Sequence, residues 1–150
     1  MEQCEFKAIN LISEAFEAAD FKYRIEHFPG QEEVHAGFGI DCGPFVVVKF
    51  IALDSDNDVA MRVFSLINDI PEDKRPRVME VCNLLNHKVR YLKFELDSDG
   101  DVNVGYDFPL ETDDNCVGKI ARELFIRTMH ILDTEYPLFM KALYSEEALV

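Results

Sequence analysis

The chain has 150 residues, 48% of them apolar and 12 of them phenylalanine, and a formal net charge of −14. That length and composition exclude disorder and imply one domain over 1–150, with a core large enough to need no metal or disulfide staple. The acidity is general, with 7 Lys and Arg against 15 acids in residues 1–75 and 8 against 14 in 76–150. Such a surface repels phosphate backbones and anionic bilayers, so no nucleic acid and no membrane is expected as a partner.

The charge suits solubility, or attraction of a basic protein. No run of ~18 apolar residues offers a membrane span, and an opening with Glu2 and Glu5 lacks the pattern of a signal peptide, so a cytoplasmic location is expected. Cys4, Cys42, Cys82 and Cys116 lie far apart without a Cys-x-x-Cys pair, so free thiols are expected rather than a zinc site or a disulfide frame.

In chain order, Gln3 to Ala19 reads as a helix with Phe6, Ile9, Ile12, Phe16 and Ala19 on a wide apolar face for packing on a sheet. Phe21 to His27 offers a short edge strand stopped by Pro29-Gly30. Val34, Ala36, Phe38 and Ile40 alternate with His35, Gly37 and Gly39, a strand with one buried face and His35 on the polar side. Phe45 to Leu53 is apolar at both parities except Lys49, the pattern of an interior strand covered on both sides. After the acidic turn 54–58, Val59, Met61, Val63 and Ile67 share a strand face, and a connection around Pro71 carries Glu72 and Asp73.

From Pro76, Val78, Val81, Cys82 and Leu85 keep a 3.6-residue period as far as Asn86. The period then changes to two: Leu92, Phe94 and Leu96 alternate with charges, Asp97 to Asp101 turns the chain, and Val102, Val104, Tyr106 and Phe108 return to Pro109. Residues 111–115 supply N-cap chemistry for a long last helix from Val117, in which Pro137 predicts a break or kink. The expected fold class is α+β: helix, three to four antiparallel strands, helix, two-strand hairpin, long C-terminal helix.

No constellation reads as a catalytic site. Asp97-Ser98-Asp99-Gly100-Asp101 resembles a calcium loop, but glycine stands fourth rather than sixth, and Phe108 occupies the twelfth position where a carboxylate is required. A hairpin turn with Gly100 at positive φ explains the same residues. His27, His35, His87 and His130 form no metal-ligand spacing, and Cys82 faces the core, away from His87. No catalytic, metal or cofactor residue is therefore expected. Asn86 suits a left-handed helix end, and Asn83 is placed to bond to the hairpin backbone; both are candidates for structural or ligand contact. Ile126 and Met129 lie off the main stripe of the last helix and, with Phe125, make it apolar around much of its circumference, which predicts a second buried face in a self-interface.

The segments Cys82-Asn83-Leu84-Leu85-Asn86, Tyr91 to Leu96, Asp99-Gly100-Asp101 and Tyr106-Asp107-Phe108-Pro109-Leu110 resemble the YbjN family. The resemblance implies a fold similar to type III secretion chaperones, which are acidic, often dimeric binders of other polypeptides, and a place in bacterial sensory transduction. It brings no catalytic residue or cofactor. The expected function is a non-enzymatic regulator that binds a protein partner, as a homodimer. The alternative is a small-molecule sensor whose pocket lies between the sheet and the last helix, lined by Tyr106 and Phe108.

Overall fold

The computed structural model describes residues 4–53, 58–109 and 116–150. In chain order they form α1 (Lys7–Ala18), β1 (Tyr23–Phe28), β2 (Gln31–Gly39), β3 (Phe45–Leu53), β4 (Asp58–Ile67), α2 (Arg75–Lys88), β5 (Lys93–Leu96), β6 (Val102–Pro109) and α3 (Val117–Tyr144). The strands make one antiparallel sheet in the order β1-β2-β3-β4-β6-β5. This is the α+β arrangement that the hydrophobic periods predict, with the second hairpin joining the sheet through β6.

Local chemistry sets the turns. Pro29 and Gly30, the latter at φ +71°, close the β1–β2 hairpin with Phe28 opposite Gln31. Gly100, at φ +86°, turns the second hairpin. There the Asp97 carboxylate accepts the backbone N–H groups of Asp99 and Asp101 and the side-chain amide of Asn103. Those donors, Asp101 first, hold Asp97 below its ordinary carboxylate value of 3.8. Asp101 in turn accepts from Ser65 Oγ at 2.8 Å and from the Asp69 N–H at 3.0 Å, fastening the turn to an irregularity in β4 between Val63 and Ile67. These two carboxylates are committed to turn geometry. The acidic turn at 54–58 lies, but for Asp58, outside the described residues.

All three helices cover one face of the sheet. Phe16 of α1 meets Phe50 edge-on at 5.6 Å, Phe125 of α3 meets Phe38 at 6.0 Å, and Phe139 meets Phe94 at 5.9 Å. α3 lies against both α1 and α2. Buried Glu32 joins the sheet to α1: its carboxylate accepts the Phe6 N–H at 2.7 Å, at the positive end of the helix, and sits 2.6 Å from His27 Nδ1. Arg77 of α2 donates to the carbonyls of Lys141, Ala142 and Ser145, satisfying the far end of α3. Lys88 Nζ reaches Glu135 Oε1 at 2.5 Å across the same pair of helices.

Several expectations are corrected. α1 begins at Lys7 rather than Gln3, and the first strand is Tyr23–Phe28 rather than 21–27. β3 is interior by pairing but, among the described residues, covered on one side only. Val46, Val48, Phe50 and Ala52 are buried, whereas Phe45 is 72% exposed and Leu53 49%. His35 is buried rather than on a polar exterior, because its ring pairs with buried Glu33 at 2.7 Å on the uncovered face. α3 runs through Pro137 without interruption. The proline and Asp133, whose carbonyl would have accepted its missing N–H, are both exposed, so water can take the donor's place while Leu132 and Phe139 hold the helix from within. The cap expected from residues 111–115 lies outside the described residues.

Candidate functional site

The uncovered face of the sheet carries the apolar surface that the helices do not use. Side chains alternate across each strand, so the residues sharing the Phe45–Leu53 parity of β3 and their cross-strand partners point away from the core. Gln31, Glu33, His35 and Gly37 of β2 lie opposite Leu53, Ile51, Lys49 and Val47, and Arg62 of β4 lies opposite Lys49. Phe64, two residues beyond Arg62, is 53% exposed, and Phe28, opposite Gln31 on β1, is 48% exposed.

Local packing spreads these rings over the sheet. The Phe45 ring occupies the space over Gly37, where a Cβ would meet it at 2.6 Å. Lys49 Nζ stands 5.5 Å from the centre of the Phe64 ring. The face is therefore an apolar strip of Phe28, Phe45, Val47, Ile51, Leu53 and Phe64, interrupted by Lys49 and Arg62. Glu33 and His35 form a pair beneath it. Glu33 also receives the Gln31 amide, while His35 Nδ1 has no hydrogen-bond partner among the described residues.

A second feature lies where β6 meets α3. Tyr91, Tyr106, Phe108, Pro109, Ile120 and Leu124 line a cleft of about 420 Å³, with Lys119, Glu123 and Arg127 at its polar edge. Tyr91 meets Tyr106 edge-on at 5.5 Å, and Tyr106 stacks on Phe108 at 6.0 Å with 15° between the rings. The Arg127 guanidinium is 5.9 Å from the Tyr91 ring centre. The sequence places a pocket at Tyr106 and Phe108, and the structure brings both into this cleft; Tyr91 is the ring that sequence reasoning missed. It stands at φ +72°, a left-handed position uncommon for an aromatic residue.

The other candidates separate. Phe125 is a core residue: it packs against Phe16, Phe21 and Phe38, which removes it from the exposed interface expected for it. Ile126 and Met129 are half-buried, and Met129 packs against the core. α3 buries Leu124, Phe125 and Leu132 in the core, while Ile120 stays 41% exposed and Ile126 half-buried. Asn86, not Asn83, bonds to the hairpin. It stays within the helix, accepts the Phe94 N–H at 2.7 Å and donates to the Phe94 carbonyl at 3.0 Å, so a strand-like pair forms between a side chain and β5. Asn83 is exposed.

Burial pushes the Cys82 thiol up to about 11, which makes it a poor nucleophile. Cys4 and Cys82 are buried, and Cys42 and Cys116 are exposed. Among the described residues, no three of His, Cys, Asp and Glu gather as metal ligands would, and no helix is long and apolar enough to cross a membrane.

A signal for the uncovered face was present in the sequence. Lys49 in β3 and Arg62 in β4 share the parity of Val47 and Phe64, and a cation in an otherwise apolar row marks the side that meets water.

No curated protein matches the chain. A family model does match, over residues 9–131: YbjN, described as "putative bacterial sensory transduction regulator". That span takes in all but the first two residues of α1, the whole sheet and the first half of α3, including both surfaces described above. The chain belongs to the YbjN family.

Proposed function

We propose that this regulatory protein is non-enzymatic and works by holding a segment of another polypeptide on the open face of its sheet. The observation that carries this reading is the row of apolar side chains left in water on β1, β3 and β4 while three helices crowd the opposite face. Burying a phenylalanine side chain is worth roughly 1.5–3 kcal/mol, so a few such anchors supply useful affinity. The partner segment is apolar with flanking basic residues: the charge of −14 speeds the encounter of a cationic partner, and on the face itself Arg62 is already ion-paired to Asp107.

A peptide-display selection tests this directly. The wild-type chain is expected to enrich apolar sequences flanked by Lys and Arg, and a Phe45→Ser, Phe64→Ser double variant to lose that enrichment while unfolding at the wild-type temperature. Equal enrichment on the variant would remove the sheet face from the reading. Light scattering separates the remaining occupant: a wild-type dimer that becomes a monomer in the double variant would assign the face to a second copy of the chain.

A further inference from the structure

The cleft between β6 and α3 sets three aromatic rings beside two cations on an otherwise acidic chain. The geometry points to a binding site for a small planar aromatic anion, with its ring against Tyr91 and Tyr106 and its charged group between Arg127 and Lys119. The inference is independent of the sheet-face reading.

Three observations carry it. The cavity, about 420 Å³, lies within the roughly 300–1,000 Å³ range of small-molecule sites. Its wall is a continuous ladder of rings, and Tyr91, the outermost, is 47% exposed and held in a left-handed backbone conformation, an unusual way to present an aromatic face to water. The third is charge. Lys119 and Arg127 form no ion pair among the described residues, although Glu123 stands between them on the same helix and lies 3.7 Å from Arg122.

Among the described residues that line the cleft, two cations stand against one carboxylate, a positive excess on a chain of −14. Screening decides which charge a ligand meets. At physiological salt the Debye length is about 8 Å, so distant acids fade while Lys119 and Arg127 act at contact distance. An anionic group there gains a charge-assisted hydrogen bond from a guanidinium already oriented over the Tyr91 ring. A cationic ring meets Arg127 and Lys119 instead, and a neutral ring gains stacking alone.

Two dyes that share a ring system but differ in charge test the site: 1-anilinonaphthalene-8-sulfonate and neutral N-phenyl-1-naphthylamine, titrated by fluorescence. The wild-type chain is expected to bind the sulfonate at one saturable site and more tightly than the neutral amine. A Lys119→Gln, Arg127→Gln double variant should weaken the sulfonate by about tenfold or more while leaving the amine unchanged. Tyr91→Ala, on an exposed ring, should weaken both. The Phe45→Ser, Phe64→Ser variant should bind both dyes as the wild type does. Thermal unfolding of each variant verifies its fold, and Tyr91→Ala gives an independent reading if the double variant does not fold. Unchanged sulfonate affinity in the cleft variants would overturn the assignment, as would loss of binding in the sheet-face variant.

Discussion

Phe16→Ala is expected to lower the unfolding free energy by about 3–5 kcal/mol, the range for deleting a large buried aromatic. Phe16 is fully buried and joins every layer of the α1 side of the core: Phe21 at 5.4 Å, Tyr23 at 6.3 Å, Phe50 at 5.6 Å and Phe125 at 5.8 Å. Removing the ring leaves a cavity bounded by a helix on one side and paired strands on the other, neither of which can collapse into it freely. Urea unfolding measures the loss. Phe64→Ala, on the open face, should change stability by no more than about 0.5 kcal/mol in the same assay, the usual range for surface positions. A loss of under about 1.5 kcal/mol for Phe16 would show that the core does not converge on this ring.

The second large effect belongs to Gly118, at the start of α3. A Cβ there would meet the Leu11 carbonyl oxygen at 2.5 Å and the Ala15 Cβ at 2.9 Å. The obstruction is α1 backbone, which cannot swing aside as a side-chain tip can, so α3 must shift away from α1. Gly118→Val is expected to cost about 2–3 kcal/mol by overpacking, despite removing a glycine from a helix. Gly39→Ala is the contrast: nothing lies within 4 Å of a Cβ at Gly39, so its denaturation midpoint should stay close to that of the wild type. Equal midpoints for the two variants would mean that α1 and α3 do not pack as closely as described.

Periodicity revealed most of the elements because each period has one physical cause. Val78, Val81, Cys82 and Leu85 are all buried, as a helix on a sheet requires, and Phe94, Val102, Val104 and Phe108 are buried, as a half-covered hairpin requires. The errors came where a residue type has two explanations. Phe45, Val47, Ile51 and Leu53 look like a strand buried on both faces, yet no layer of the described residues lies over that side. Phe125 and Met129 look like surplus apolar surface on a helix, yet Phe125 is buried and Met129 packs against the core, while Ile126 stays half-buried. One-dimensional pattern reports that a side chain is apolar, and the number of neighbouring layers is a property of topology alone.

The same limit applied to the polar residues. His35 alternates with apolar residues and so reads as exposed, but a carboxylate two residues away, Glu33, folds over it. Asn83 and Asn86 are alike as letters; only the position of β5 selects Asn86 for the Phe94 backbone. The cleft was partly legible, since Tyr106 and Phe108 share a strand parity. The contribution of Tyr91 depends on a left-handed backbone that no spacing announces.

The most direct measurement of the central claim is site-specific photo-crosslinking with a benzophenone amino acid placed at Phe64, on the open face of the sheet, and separately at Met79, which is 59% exposed on the outer side of α2. Irradiation in cells is predicted to join position 64, and not position 79, to another polypeptide whose linked segment is apolar with basic flanks. Adducts of equal yield at the two positions, or adducts at 79 alone, would contradict the assignment of the sheet face as the surface on which this protein acts.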